Sequence, residues 1–332
     1  MNKPARRLIV AAAFWLSVDA LSGIGPAMAQ TAATTATTWP SRPVKLIVSL
    51  APGSGSDLTA RILAERLSGR WGQPVVVENR PGGDAVMAIN ALIAAHDDHT
   101  LLFTPTSSFT AHPYQHDKLP YDPAELSPLA RVFNTVVVFL VSPALDVKSV
   151  ADFVALVRSQ PGKLNYSTAT GMTDMIYDGY FKSTGLAITR IGYRDVVSQP
   201  MADLAEGRIQ AYVGGYAGVR PHVQAGRGRL LAVTNSARPT MMPDVPTIAE
   251  AGFAPLTFDG LAGFFGRRDL PDAARERIAG DVAAILADDA VAVRLTAMGV
   301  IVNPGNGAEF AASLDEQRAK LARFAKLLGI AP

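Results

Sequence analysis

VKLIVSLAPGSGSDLTARILAERL, residues Val44–Leu67, holds in one stretch the pattern that decides the fold. Val44-Lys45-Leu46-Ile47-Val48 is a short apolar, β-branched run of the kind that makes a buried strand. A turn rich in glycine and serine follows, Ala51-Pro52-Gly53-Ser54-Gly55-Ser56-Asp57. From Asp57 to about Gly69 the period changes. Ala60, Leu63, Ala64 and Leu67 fall at i, i+3, i+4 and i+7, which is one apolar face of a helix.

The strand-then-helix unit recurs outward from this stretch. Val75–Val77 reads as a strand, Val86–Ala95 as a helix and Leu101–Phe103 as a strand. Residues 113–128 carry Pro113, Pro120, Pro123 and Pro128 and predict a long irregular connection. Val136–Val141 is a strongly β-branched strand, and a second series starts there. Ser149 with Asp152 three residues later marks the start of a helix running to about Gln160. Strands at Leu164–Thr168, Ile188–Ile191, Gln210–Val213 and Leu230–Thr234 alternate with helices at Asp174–Ser183, Gln199–Ala205 and Val219–Ala225. An extended segment, Leu256–Phe265, precedes helices at Asp272–Leu286, Asp289–Met298 and Ala308–Leu328. Such alternation predicts an α/β protein with two lobes, each a parallel sheet covered on both faces. Ligands of open α/β sheets bind outside the carboxyl ends of the strands, so those ends are where function is sought.

The N-terminus predicts export. Lys3, Arg6 and Arg7 precede the apolar run Leu8–Leu16, and Ala27-Met28-Ala29 is a small-x-small cleavage pattern. This is the layout of a signal peptide over residues 1–29, with a Thr- and Ala-rich disordered leader over 30–38. The apolar run is much shorter than the ~20 residues a spanning helix needs. There is no cysteine, which excludes disulfides, thiolate metal sites and a lipidated cysteine anchor. At 48% hydrophobic residues the chain can rely on its core instead. A net charge of +2 with dispersed positive residues gives no footprint for nucleic acid.

Three predicted strand-to-helix loops share one character. They are Ala51-Pro52-Gly53-Ser54-Gly55-Ser56-Asp57, Thr104-Pro105-Thr106-Ser107-Ser108, and Ser167-Thr168-Ala169-Thr170-Gly171-Met172-Thr173. Each offers small residues, hydroxyls and the unpaired N–H groups of a helix start, which attract anions and acceptor groups. None contains Lys or Arg, so the expected cradle is neutral and the binding reversible. Ordinary capping by Ser and Thr would explain any one loop; three in matching topological positions favour a ligand site. Within that cradle the Thr168 hydroxyl is expected to contact the ligand, with Arg194 and Arg220 as the rival charged groups.

Enzyme signatures fail on inspection. Leu58 stands where a dinucleotide fingerprint needs its third glycine, and neither a P-loop nor a G-x-S-x-G elbow occurs. Of five histidines, His96, His99, His112 and His116 lie close in sequence to Asp97, Asp98 and Asp117. Their spacing suits a metal poorly, and they are expected to be solvated loop residues. No cofactor, metal or catalytic residue is expected.

With these residues in view, the chain resembles the extracytoplasmic solute receptors of tripartite tricarboxylate transporters, the Bug-type receptors. The likeness runs through Trp39-Pro40-Ser41-Arg42-Pro43-Val44, Pro52–Asp57, Gly72-Gln73-Pro74-Val75-Val76-Val77-Glu78-Asn79-Arg80-Pro81-Gly82, Leu119–Pro123, Pro161–Tyr166 and Pro243–Gly252. The resemblance implies a type II periplasmic-binding-protein fold. Its two lobes, 39–142 with 258–332 and 143–257, would close over a small ligand, with hinges near Val141 and Asp259. It also implies a carboxylate as ligand, membrane transporter components as partners, and a periplasmic monomer. The ligand would sit among Pro52–Asp57, Thr106–Ser108 and Thr168–Thr173, the loops already chosen on physical grounds. Several positions depart from the family pattern. Leu50 replaces an aromatic residue, Gly214 an aspartate, Leu261 a tryptophan and Met175 a histidine, giving a less aromatic and less acidic pocket. A sensor receptor for a membrane signalling protein, or a secreted α/β enzyme, remains the alternative reading.

Overall fold

The computed structural model describes residues 39–169, 171–193 and 195–330, with the backbone alone for Ser108. The signal peptide and leader read at 1–29 and 30–38, together with Thr170 and Arg194, lie outside the described residues. Those from Trp39 onward belong to one unit, Thr38–Pro332.

The first series runs β1 (Val44–Val48), α1 (Gly55–Trp71), β2 (Val75–Asn79), α2 (Val86–Ala95), β3 (Thr100–Pro105), α3 (Ser107–Gln115) and β4 (Leu126–Thr135). The second runs β5 (Val137–Val141), α4 (Val150–Ser159), β6 (Asn165–Thr168), α5 (Gly171–Ser183), β7 (Thr189–Arg190), α6 (Ser198–Ala205), β8 (Ala211–Gly215), α7 (Tyr216–Gln224) and β9 (Arg229–Val233). The chain then returns through β10 (Gly260–Arg267), α8 (Asp272–Leu286), α9 (Asp289–Ala297), β11 (Val300–Asn306) and α10 (Gly307–Leu328).

The strands form two sheets, ordered β11-β4-β10-β3-β1-β2 and β7-β6-β8-β5-β9. Both are mixed, which corrects the expectation of parallel sheets. β10 runs antiparallel to β3 and β4, β11 runs antiparallel to β4, and β5 runs antiparallel to β8 and β9. For β5 and β10 the reason lies in the crossovers. Each arrives from the other sheet and enters at the end where the parallel strands finish, so it must run against them. The first crossover turns at Val136, between β4 and β5, and the second spans 234–259. β5 therefore pairs in the five-stranded sheet, so the chain changes sheet six residues before the boundary expected at 142. Helix α3 and strand β11 also lay within stretches read as irregular or left unassigned. Pro113 sits in the closing turn of α3, where its missing N–H removes a single helical bond.

Each sheet is covered on both faces. Ile62, Leu63 and Leu67 of α1, with Ile278 and Val282 of α8, pack on one face of the six-stranded sheet. Ile89 and Leu92 of α2, with Phe310 and Leu314 of α10, pack on the other. Phe153 and Val157 of α4, with Ile176 and Phe181 of α5, cover one face of the five-stranded sheet. Met201 and Leu204 of α6 and Val219 of α7 cover its second face. Helix α10 takes part in both bodies, because Leu321, Phe324 and Ala325 belong to the core beneath α5. A capping box of Asn306 and Glu309 starts this helix, and Gly329 ends it in the left-handed conformation.

Candidate functional site

The first loop is built by local chemistry. Ser54 N donates to Ala51 O at 3.2 Å across Pro52 and Gly53. Pro52 presets the second position of this turn, and Gly53 supplies the positive φ of +82° at the third, the requirements of a type II turn. Ser54 then caps α1, its hydroxyl accepting from Asp57 N at 3.2 Å. The Asp57 carboxylate closes back on the loop. It accepts from Gly53 N at 2.8 Å, Arg61 Nε at 3.1 Å and Asn79 Nδ2 at 2.9 Å. Burial pushes the Asp57 pKa up and is the largest single influence. The hydrogen bonds from Arg61, Gly53 and Asn79 outweigh it and hold the carboxyl below its ordinary value. Of the N–H groups expected to face a ligand, those of Gly53 and Ser54 are thus taken within the loop. Those of Gly55 and Ser56, and the Ser56 hydroxyl, make no hydrogen bond to the described residues.

The second loop lies beside the first because β1 and β3 are neighbours. The hydroxyls of Ser49 and Thr104, just past β1 and near the end of β3, are 2.6 Å apart. Thr106 is fully buried and turns away from solvent. Its N–H donates to Leu261 O at 2.8 Å and its hydroxyl to Gln317 Oε1 of α10 at 2.8 Å. Ser107 opens α3 and is partly exposed. The third loop meets the second across the two sheets. The hydroxyl of Thr110 on α3 donates to Met172 Sδ on α5 at 3.2 Å. Gln115 lies so close to Gly171 that a Cβ there would fall 1.7 Å from Gln115 Nε2. Glycine at 171 leaves the end of the Gln115 side chain where it lies. Pairing and contact therefore link the three loops in one series.

Within the third loop, Ala169 N extends the ladder by donating to Val213 O at 2.9 Å, and Thr173 is buried. The Thr168 hydroxyl, expected to face a ligand, donates to Asp174. Asp174 in turn receives Arg190 Nη1 at 3.1 Å, and Arg190 Nε reaches Asp178 at 2.9 Å. Burial is the main influence on Asp174 and pushes its carboxyl above the ordinary value, against the Thr168 hydrogen bond and the Arg190 charge. Arg220, weighed as a charged rival, donates to Ala297 O at the end of α9 at 2.9 Å. At position 214 a Cβ would lie 2.5 Å from the Tyr212 hydroxyl, so the aspartate of the family pattern has no room beside Tyr212.

The histidines need correction. His99 and His112 are buried, not solvated. Nε2 of His99 accepts Ser41 N at 3.0 Å and its Nδ1 lies 2.6 Å from Asp98. His112 rides on α3, with Nδ1 at 2.9 Å from the Tyr121 hydroxyl. Once α3 is a helix, one of its faces must pack inward, and His112 is on that face. Sequence reasoning also missed Gln317, Arg190 and Asn79. It missed Arg61 too, although the i+4 spacing from Asp57 on one helix was the signal that could have found it. A recess of about 930 Å³ lies between β4, α8 and the start of α10. It shares no lining residue with the three loops, and volume alone does not make it the ligand site.

Comparison with known proteins identifies the family and the fold. The sequence profile described as the tripartite tricarboxylate transporter family receptor matches residues 59–330. A UPF0065 protein of Bordetella bronchiseptica is 31% identical over 303 residues, covering 90% of this chain and 89% of that one. A solved structure described as a periplasmic transporter superposes with a TM-score of 0.76 at 28% identity, covering 88% of this chain and 99% of the other. A structure of an R. palustris protein with adipate gives a TM-score of 0.77 at 28% identity, covering 89% and 99%. The fold is that of the type II periplasmic binding proteins. The chain belongs to the tripartite tricarboxylate transporter receptor family.

Proposed function

We propose that this chain is a periplasmic receptor that captures a small carboxylate between two lobes, one built on each sheet, and delivers it to the membrane components of a tripartite transporter. The observation that carries the reading is the start of α1. There the N–H groups of Gly55 and Ser56 and the Ser56 hydroxyl make no hydrogen bond to the described residues, while the adjacent Asp57 carboxylate is paired with Arg61. A helix start with open donors suits a carboxylate. The similar R. palustris protein with adipate supports the same ligand class, and the structure described as a periplasmic transporter supports the compartment. Gly53, Ser54 and Asp57 shape the first loop, and Thr106 and Thr168 hold the second and third in place. Ser107, Ala169 and Thr173 complete the wall.

Gly55→Pro tests this with little disturbance. Gly55 is the first helical residue, where proline is tolerated, and Ser54 already has the extended conformation a following proline needs (φ −67°, ψ 158°). No atom lies within 4 Å of the added Cβ position. The variant loses one donor and keeps the helix. Adipate titrated by calorimetry should bind roughly 3- to 10-fold more weakly, the worth of one hydrogen bond of about 0.5–1.5 kcal/mol. Unchanged affinity would remove the α1 start from the site. If adipate does not bind the parent protein, mass spectrometry of small molecules released on denaturation identifies the carboxylate to use instead.

A further inference from the structure

We propose that Gln317 is a positioning residue that ties the second candidate loop to both crossovers between the sheets. The inference rests on reading the chain as a two-lobed receptor. Thr106, just before α3, donates its hydroxyl to Gln317 Oε1 at 2.8 Å. Gln317 Nε2 donates to the main-chain oxygen of Asp259 at 2.7 Å, immediately before β10. The Asp259 carboxylate accepts from Asn235 Nδ2 at 2.9 Å. Asn235 then brackets the other crossover: its Oδ1 accepts from Val137 N and its Nδ2 donates to Thr135 O, both at 3.0 Å. One unbroken chain of hydrogen bonds thus runs from the second loop to Val136.

The surroundings make this chain stiff. Thr106 and Asn235 are 0% exposed and Gln317 is 8% exposed, so water cannot readily replace a partner broken at these residues, while Asp259 between them is half-buried. A buried polar group left unpaired costs about 1–3 kcal/mol, so the groups move together or not at all. An apolar side chain at 317 could fill the same space but would let the loop slide past the crossovers, because dispersion contacts have no fixed direction. Gln317 also stands on α10, which packs in the cores of both sheets. A rotation at the crossovers is therefore transmitted through Gln317 to the start of α3, where the second loop meets the third.

Because the chain has no cysteine, two can be introduced for spin labels at exposed positions, Val76→Cys on β2 and Ala155→Cys on α4. The interlobe distance distribution is then measured by pulsed electron paramagnetic resonance without any ligand. Gln317→Leu should shift and broaden the distribution. Thr106→Val, which keeps its shape and loses only the hydroxyl, should broaden it as well. Adding Thr106→Val to Gln317→Leu should change nothing further, since both cut the same chain. A residue that merely supports packing would lower the melting temperature and leave the distribution alone. That result, in Thr106→Val or in a folded Gln317→Leu, overturns the proposal. The readout uses no ligand, so a failure of this proposal is told apart from a failure of carboxylate binding, which the titration alone reports.

Discussion

The Asp57 side chain is 2% exposed and remains an ion-pair partner of Arg61, with Gly53 N and Asn79 Nδ2 completing its shell. Its pKa in the folded state lies below the ordinary 3.8. The sign follows from linkage. A carboxyl with a depressed pKa adds stability that is fully present above the unfolded value and is lost as pH falls through the folded value. Asp57→Asn should therefore lower stability at pH 7 by about 1.5–3 kcal/mol, the range for hydrogen bonds to a charged group. The gap between parent and variant should close as the pH is taken below 3.8, the ordinary carboxylate value. Urea unfolding at neutral and acid pH checks both statements, and a gap independent of pH would assign Asp57 no ionic role.

Helix α5 shows how an element is positioned by what it lacks. A Cβ at Gly179 would lie 2.8 Å from Phe324 Cδ1 and 3.1 Å from Phe324 Cβ on α10. Phe324 is held by its own backbone position and by the core around it, so it cannot simply swing aside. Gly171, about two turns earlier on α5, lies against the end of the Gln115 side chain, which can shift where Phe324 cannot. Gly179 thus sets how closely α5 approaches α10, and with it where the third loop stands. Gly179→Ala should cost about 1–3 kcal/mol through overpacking, even though alanine is the better helix former. Thermal unfolding should show the loss, and pairing the change with Phe324→Leu should recover part of it. A neutral or stabilising Gly179→Ala would mean that α5 is free to move off α10.

The whole molecule is two mixed sheets joined by crossovers at Val136 and at 234–259, with α10 packed into both cores. Two connections and one shared helix leave rotation about the crossovers as the motion available to the lobes of the proposed receptor. A ligand shifts such an equilibrium only through contacts it makes better in one state than in the other. Solution scattering should therefore show a smaller radius of gyration with a saturating carboxylate than without it. The same radius in both conditions would mean that capture does not work by closure.

What the residues determined by themselves were the features that act within about one helical turn. The β1–α1 unit, the turn at Pro52-Gly53, the cap at Ser54 and the helix start at Ser149 were legible because donor and acceptor are only three or four positions apart. The periodicity of the apolar residues likewise carried the two α/β series and the boundaries of α2 and α8. The loops themselves were legible, but the direction in which their side chains point was not. Thr106 looked like a ligand hydroxyl and binds Gln317, 211 positions away. Thr168 looked the same and binds Asp174, whose orientation is set by Arg190 from another strand. His99 and His112 looked solvated and are buried, one against Ser41 and the other on α3, a helix whose extent was not read beyond its start. Strand direction in the mixed sheets was hidden for the same reason, since it depends on the end by which β5 and β10 enter. A hydroxyl or an imidazole has no periodicity of its own; its partner is chosen by which distant segment the packed cores bring alongside, and only the tertiary structure decides that.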